Sequence, residues 1–168
     1  MYAKRLKAYK QIGYELACGL QIGKQTVNAI YDWDNYSTYY HKDLLGANNN
    51  IIISSPVISG PKVYELINLL KEKQMSGVQI TIVTWAPDSY RFGDAAYWMQ
   101  LHEDMRQAGF YIKTVEESCE RFAVIDQEVV WYGNINLLAK TKVDDSIMRV
   151  LSNEIAGELM EIIFGNNS

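Results

Sequence analysis

The sequence predicts an α/β fold in which a mixed β-sheet lies between helices, and three observations support this. Short β-branched segments alternate with amphipathic helices over residues 26–108, an order that implies right-handed crossovers and parallel strands. Four short strands follow Gly109 closely, and residues 126–128 join two of them too tightly for a crossover. Finally, 48% of the 168 residues are hydrophobic and 21% are charged, as in folded globular proteins. We therefore expect parallel strands first and antiparallel strands later.

The first part of the chain alternates between helical and strand periodicity. A helical spacing of apolar residues opens it, and β-branched runs separated by turn residues mark the strands. The best-defined helix begins near Pro61, repeats apolar residues at i, i+3, i+4 and i+7, and stops before Gly77. Pro56 interrupts the second strand. In order, we predict a helix at 1–17, a strand at 26–31, a helix at 35–45, a strand at 51–54 continued at 57–58, a helix at 61–74 and a strand at 79–84.

The second part of the chain begins and ends with a helix. Gly109 closes the first of these helices, and the last one starts near Ser152 and ends at Gly165. Between them lie short runs rich in Val, Ile, Phe, Trp and Tyr, which favour strands. In order, we predict a helix at 94–108, strands at 110–114, 121–125, 129–132 and 147–151, and a helix at 152–165.

Length and charge limit the class of protein. The length suits one domain, which we place at residues 26–168 after an N-terminal helix or linker at 1–25. The net charge of −4 argues against a free-standing nucleic-acid binder, unless a basic partner domain supplies the missing charge. Two cysteines and two histidines make a disulfide framework or a zinc cluster untenable. Since there is no apolar run of about 20 residues and no secretory signal, we expect a cytoplasmic protein without membrane association.

The residues that suggest chemistry lie on the predicted hairpin and just before it. Side chains alternate along a strand, so Cys119 and Arg121 are expected to share one face, and Asn134 and Asn136 to share a face nearby. A guanidinium and two carboxamides on rigid strands suit the oxygens of a phosphate. Each residue also has a purely structural interpretation: Cys119 as a buried thiol, Arg121 as a surface ion-pair partner, Asp126 as a turn former, and the two asparagines as partners of the backbone.

These residues resemble the phospholipase D superfamily. Its motif is HxK(x)4D, followed after a hairpin by GSxN or GGxN. This chain has C-x-R-(x)4-D at positions 119, 121 and 126 and G-N-x-N at 133–136, with FAVID and VVWYG around them. More narrowly, it resembles the single-motif domains fused to the C-terminal side of bacterial DEAD/DEAH-type helicases and restriction-associated proteins. The resemblance covers roughly residues 26–164 and implies the fold of that superfamily.

The resemblance also implies a phosphodiester-binding cleft. In the family, the histidine attacks phosphorus, the lysine neutralises developing charge, and asparagine and serine hold phosphate oxygens. A chain with one motif copy must pair with itself, so a homodimer is implied, with no cofactor and no metal. The positions matched to catalysis are Cys119, Arg121, Asp126 and Asp145, and those matched to phosphate binding are Arg121, Asn134, Asn136 and Ser146.

Three departures from the motif bear on activity. Cysteine replaces histidine, arginine replaces lysine, and asparagine replaces serine at Asn134. A thiolate can attack phosphorus, but a thiol is a poor general acid for the second half of the reaction. We therefore predict a phosphate- or DNA-binding and dimerising module of a helicase or restriction-type system. The alternatives are an active metal-independent phosphodiesterase or nuclease with Cys119 as nucleophile, and a protein-interaction domain with a vestigial cleft.

Two further segments, an aromatic loop and residues 41–43, also lead to predictions. A loop with four large or cationic side chains follows the third strand, at the sheet edge where α/β proteins hold ligands. It is interpreted as a loop that stacks a base, one that covers a dimer interface, or an ordinary capping loop. The letters HKD at 41–43 lack the spacing of the family motif, so we interpret them as a solvated helix face. The loop residues are Trp85, Tyr90, Arg91 and Phe92.

Overall fold

Seven strands form one mixed sheet in the order β1-β7-β6-β5-β2-β3-β4. The computed structural model describes residues 29–89 and 93–165. The predicted mixed sheet between helices is confirmed. The strands are β1 (Ala29–Asp32), β2 (Asn50–Ser54), β3 (Gln79–Trp85), β4 (Tyr111–Val115), β5 (Phe122–Ile125), β6 (Val129–Gly133) and β7 (Ser146–Leu151); the helices are α1 (Tyr36–Leu45), α2 (Gly60–Met75), α3 (Ala95–Gln107) and α4 (Asn153–Phe164), with a 3-10 turn at Pro87–Ser89.

The sheet has a parallel half and an antiparallel half. β2, β3 and β4 run parallel, while β5 pairs antiparallel with β2 and leads into an antiparallel set that ends with β1. The expectation of parallel strands followed by antiparallel strands is therefore confirmed for β2 to β7. Apart from the first two predicted strands and the segment at 1–17, the predicted elements agree with the structure to within about one residue at each end.

The position of β1 differs from the prediction. The strand–helix–strand order predicted a parallel β1, but β1 pairs antiparallel with β7 at the far edge of the sheet, and three strands lie between it and β2. Tyr31 of β1 stacks on Trp131 of β6 with ring centroids 5.2 Å apart, an aromatic contact that favours this location. Local periodicity reports that a segment is a strand but not which strand it pairs with.

The strand predicted to continue past Pro56 also ends early. β2 stops at Ser54, and Ile58 forms only an isolated bridge with Leu138. Proline has no N–H to donate to a ladder, so the chain leaves the sheet there. The part of the first predicted strand before Ala29, and the segment at 1–25, lie outside the described residues.

Helix ends follow from local sequence. Asp94 caps α3 by accepting a hydrogen bond from the Ala96 N–H, and Ser152 caps α4 by accepting one from the Ile155 N–H. Proline occupies the first turn of α2. Each cap satisfies a backbone donor that the helix itself leaves free, which is worth about 1 kcal/mol. None of the helices in residues 29–89 and 93–165 combines the length and apolarity that crossing a membrane requires.

The sheet separates two apolar clusters. On one face α1, α2 and α3 cover Trp131, Ala123 and Ile125, among others. On the opposite face α4 covers a smaller set. Strand alternation explains the division, because neighbouring residues of β5 point to opposite faces. The second set, here called the α4 cluster, comprises Ile52, Val83, Phe122, Val124, Val130, Ala156 and Leu159.

A mostly buried ion pair joins α1 to β7. Asp43 Oδ2 accepts hydrogen bonds from Arg149 Nε (2.6 Å) and from Trp131 Nε1 (2.8 Å), and Asp43 Oδ1 accepts one from a terminal nitrogen of Arg149 (3.0 Å). The two charged side chains are only 15% and 17% exposed. The prediction of a solvated helix face at 41–43 is therefore wrong for Asp43, since its partners are distant in sequence and invisible to local pattern.

Candidate phosphate-binding site

Arg121 and Asn136 meet at the end of the β5–β6 hairpin. Arg121 directly precedes β5, and Asn136 follows β6 in the loop that leads to β7. Arg121 Nε donates a hydrogen bond to Asn136 Oδ1 over 3.1 Å. Within the part of the chain that the structure describes, the terminal amino groups of Arg121 and the Asn136 Nδ2 contact no acceptor. The pair thus presents N–H donors from a guanidinium and an amide, a combination suited to an anionic oxygen ligand.

Asn134 and Ser146 are brought together, but their contact is between strands. Asn134 Oδ1 accepts a hydrogen bond from the Ser146 N–H (2.8 Å), and the Asn134 N–H donates to the Ser146 carbonyl (3.2 Å). Beside them, a Cβ on Gly133 would lie 2.4 Å from the Ser146 carbonyl oxygen, so this position requires glycine. The Asn134 Oδ1 therefore fixes the start of β7.

Cys119 packs on the α4 side of the sheet. Its Sγ lies 3.4 Å from Ser54 Oγ, and the side chain contacts the α4 cluster. Ser54 pairs with Phe122 in the ladder, and both face α4. Arg121 contacts Asn136 instead, so the contacts do not show the expected common face of Cys119 and Arg121. The reason is that residues 118–121 precede the ladder of β5, and strand alternation does not extend to Cys119.

The environment of Cys119 keeps its thiol protonated. Burial raises the pKa of the thiol above its ordinary value, and the negative charge of Glu120 acts in the same direction. The hydrogen bond with Ser54 and the positive charge of Arg121 lower the pKa but do not outweigh burial. Because the thiolate is the nucleophilic form, Cys119 is poorly prepared for attack at neutral pH.

Asp126 lies at the opposite end of β5 from Arg121. Its carboxylate accepts hydrogen bonds from the backbone N–H groups of Asn48, Asn49 and Asn50, at 2.9, 2.7 and 3.1 Å. Asp126 and Gln127 have φ of 53° and 58°, the conformation of a tight hairpin turn. Arg121 and Asp126 are five strand steps apart, about 17 Å. The structure thus gives Asp126 a role in the turn and does not bring it to the Arg121–Asn136 pair.

Asp145 is engaged in the loop before β7. Its carboxylate accepts a hydrogen bond from the Lys142 N–H (2.8 Å), and its carbonyl accepts one from the Trp33 N–H (3.0 Å). The residue is adjacent to Ser146 and so lies near Asn134. In this arrangement the carboxylate supports a turn.

Comparisons with known proteins give structural relatives only. No family model matches the sequence, and no curated protein matches it. A solved structure of Nuc from Salmonella typhimurium, described as a phospholipase D family member, matches with a TM-score of 0.61 at 14% identity, covering 82% of this chain and 92% of that one. NucT from Helicobacter pylori matches with a TM-score of 0.62 at 9% identity and the same coverage.

The chain has a phospholipase D-like fold. TrmBL2, described as an archaeal chromatin protein with a novel mode of DNA binding, shares the fold with a TM-score of 0.55 at 11% identity, covering 96% of this chain and 60% of that one. At these identities the likeness concerns the fold. The resemblance drawn from the motif residues and the independent match in three dimensions therefore agree on the architecture.

Within this phospholipase D-like fold, one aromatic loop residue can be placed. Trp85 is half-buried, and its Nε1 donates a hydrogen bond to the Glu117 carbonyl over 3.0 Å. Its ring therefore joins β3 to the segment that leads to Cys119. The other members of the predicted stacking loop, Tyr90, Arg91 and Phe92, lie outside the described residues.

The segment that leads to Arg121 is acidic. Glu116, Glu117 and Glu120 are exposed in the segment between β4 and β5, and Glu120 Oε2 accepts a hydrogen bond from the Tyr132 hydroxyl over 3.0 Å. This negative charge weakens the attraction of a polyanion. In the described ranges, no three His, Cys, Asp or Glu side chains are grouped so that they could hold a metal ion.

Two serines at the end of β2 were not singled out from the sequence. Ser54 contacts Cys119 and donates to the Glu120 carbonyl (2.6 Å), while Ser55 donates to the Val57 carbonyl (2.7 Å) and accepts from the Leu138 N–H (3.3 Å). Together these two serines attach the segment before β5 and the loop after β6 to the end of β2. Their position after three isoleucines, at the carboxyl end of a parallel strand, was the available signal.

Proposed function

We propose that this domain binds a phosphate group of nucleic acid without hydrolysing it. The observation that carries the proposal is the Arg121–Asn136 pair, in which one nitrogen of the guanidinium is fixed by the amide and the terminal ones face no acceptor among residues 29–89 and 93–165. A guanidinium held in this way is oriented before the ligand arrives, which reduces the entropy lost on binding.

We propose that the domain does not hydrolyse the phosphate because the residues at the positions matched to catalysis are not prepared for it. The Cys119 thiol is protonated and lies on the α4 side of the sheet. The carboxylates of Asp126 and Asp145 are both engaged by backbone N–H groups. A phosphodiesterase of this type needs a nucleophile and a group that returns the proton, and neither is prepared at neutral pH.

Binding to a long nucleic acid is proposed to need more than this chain. The net charge is −4, and three exposed glutamates lie in the five residues before Arg121. The likeness of fold to a DNA-binding chromatin protein and to a phospholipase D family member supports nucleic acid as the ligand class. We propose that a second copy of this chain and a linked helicase or restriction-type domain supply the remaining contacts and the missing positive charge.

The binding proposal is tested with an end-labelled, short single-stranded oligonucleotide at low salt, followed by fluorescence anisotropy. We expect Arg121→Ala to raise Kd at least about tenfold, because a charge-assisted hydrogen bond is worth about 1.5–3 kcal/mol. Arg121→Lys keeps the charge but loses the planar geometry and is expected to recover only part of the affinity. Arg106→Ala, on α3, is the matched control. Equal Kd values for the wild-type protein and Arg121→Ala would contradict the proposal.

The absence of hydrolysis is tested separately. The wild-type protein and Cys119→Ser are incubated with single-stranded DNA and with a nitrophenyl phosphodiester in the presence of EDTA. We expect no cleavage by either protein. Cleavage by the wild-type protein that disappears in Cys119→Ser would establish the alternative of a cysteine-dependent phosphodiesterase. Sedimentation velocity over a range of concentrations tests the proposed homodimer, and a monomer at every concentration would contradict it.

A further inference from the structure

A groove of about 550 Å³ lies along α3. The helix packs against β4 and the 3-10 turn at Pro87–Ser89, and residues of the helix and of that turn line the groove. Its volume is in the range of small-molecule sites, about 300–1,000 Å³. Because β2 and β3 lie between β4 and β5, the groove is a different surface from the one that carries the Arg121–Asn136 pair.

One buried side chain in the described part of the chain lines this groove, that of His102. The residue is only 1% exposed, and neither ring nitrogen has a hydrogen-bond partner among residues 29–89 and 93–165. Burial lowers the pKa of His102 from 6.5 to about 4, so at neutral pH the ring is uncharged and has one N–H donor and one acceptor. A buried polar group without a partner costs free energy, which a ligand in the groove would recover.

Two opposite charges lie beside His102 on α3. Positions 99, 102, 103 and 106 repeat at i, i+3, i+4 and i+7, so these residues share one face of the helix. Glu103 Oε2 and Arg106 Nη1 are 3.9 Å apart, too far for a hydrogen bond, and both side chains are about half exposed. Glu103 Oε1 accepts only a long hydrogen bond from Gln107, at 3.4 Å. The groove therefore presents a carboxylate and a guanidinium that both have capacity for a ligand.

The composition of the lining selects the charge of the ligand. A simple anion would meet the carboxylate of Glu103, and a simple cation would meet the guanidinium of Arg106, so a ligand with both charges is favoured over either. The remaining lining is mainly apolar, and Met99 is 60% exposed. The apolar lining residues are Pro87, Ala96 and Met99.

We propose that this groove binds a zwitterionic α-amino acid with an apolar side chain. The ligand carboxylate accepts hydrogen bonds from Arg106 and from the N–H of His102. The ligand ammonium group donates to Glu103, and the apolar side chain covers Met99. This is a second ligand, and its binding does not depend on phosphate binding at Arg121.

The proposal is tested on the full chain by NMR titration with L-leucine, because the chain has only two histidines to resolve. We expect a saturable shift of the His102 ring signals with a Kd below about 1 mM, and no shift for His41, which His41→Gln assigns. Two analogues remove one charge each: 4-methylpentanoate lacks the ammonium group and leucinamide lacks the carboxylate. Each is expected to bind at least about tenfold more weakly, because a hydrogen bond to a charged group is lost.

Variants test the two charges separately. Glu103→Gln and Arg106→Gln are each expected to raise the Kd for leucine about fivefold or more, while Lys71→Gln and Glu72→Gln, exposed on α2, are the matched controls. Arg121→Ala is expected to leave the Kd for leucine unchanged, so failure of this proposal is distinguishable from failure of the phosphate-binding proposal.

Three outcomes would overturn the proposal. The first is that leucine leaves the His102 ring signals unchanged. The second is that either analogue binds as tightly as leucine, which would mean that the groove does not recognise both charges. The third is that Glu103→Gln or Arg106→Gln leaves the Kd for leucine unchanged. A saturable shift at His102 that requires both charges of the ligand and both charged side chains supports the proposal.

Discussion

Two arginines in this fold have opposite environments. Arg149 makes a bidentate contact with the carboxylate of Asp43, and both side chains are mostly buried. Arg121 has a neutral amide on one nitrogen, that of Asn136, and the structure places no other acceptor against it in the described ranges. Arg149 holds α1 against the sheet, whereas the terminal amino groups of Arg121 contact no acceptor in the described ranges.

The difference shows how a site can be separated from a structural contact. A buried ion pair that is fully hydrogen-bonded uses its donors for the fold, and breaking it leaves a charge without compensation. A guanidinium held by one neutral partner contributes little to stability and keeps its charge for a ligand. The comparison predicts that a substitution of Asp43 mainly lowers stability, whereas a substitution of Asn136 mainly lowers ligand binding.

The largest effect is expected for Asp43→Ala. The change leaves the charge of Arg149 without its carboxylate and removes the acceptor of Trp131 Nε1, so we expect the free energy of unfolding to fall by about 3 kcal/mol. Urea denaturation followed by Trp fluorescence measures it, with Asp144→Ala at an exposed site as the control. A loss below about 1 kcal/mol would mean that the pair is no more than a surface ion pair.

His102 extends the comparison to a buried polar group whose ring nitrogens have no partner among the described residues. The side chain is 1% exposed. Burial, with a smaller contribution from Arg106, lowers its pKa from 6.5 to about 4. The unfolded chain takes up a proton near pH 6.5 and the folded chain does not until about pH 4. The free energy of unfolding is therefore unaffected by His102 above pH 6.5. It falls by about 2–3 kcal/mol as the pH decreases towards 4, because only the unfolded chain then binds the proton.

Urea denaturation as a function of pH checks this expectation. His102→Phe should flatten the decline in the free energy of unfolding between pH 6.5 and 4. His41→Gln is the control, since burial also lowers the pKa of His41, though this residue is closer to solvent. An acid decline of unchanged slope in His102→Phe would show that other groups are responsible.

The smallest effect on stability is expected for Asn136→Ala. The change removes the acceptor of Arg121 Nε at a half-buried position, which costs about 0.5–1 kcal/mol. Urea denaturation measures the free energy of unfolding, and oligonucleotide binding measures the loss of orientation of the guanidinium. If Asn136→Ala destabilised the fold as much as Asp43→Ala, the distinction between the two arginines would not hold.

Much of the fold follows from the sequence, because its elements carry their own periodicity. Apolar spacing predicts α2, and the short connection between β5 and β6 predicts their hairpin. The partner of β1 does not follow, because it depends on contacts such as that between Tyr31 and Trp131 across distant parts of the chain. The ion pair of Asp43 could not be predicted from the sequence for the same reason, because its partner Arg149 lies 106 positions later in the chain.

The candidate site was predictable only in part. Arg121 and Asn136 were named from their spacing and meet in the structure. Cys119 was named too, but alternation could not assign its face, because the chain is not yet paired in a ladder at that position. Whether the site binds phosphate stays a prediction.

The hydrogen bonds of Asp126 have a consequence for insertions and deletions. They fasten one end of β5 to residues 48–50, so the number of residues in β5 determines how far Arg121 lies from that fixed end. One residue inserted into β5 would rotate Arg121 to the opposite face of the sheet while the fastened end stays in place. Two inserted residues would keep the face but move the guanidinium about 6–7 Å along the strand. A change of length between positions 121 and 126 would therefore separate Arg121 from Asn136.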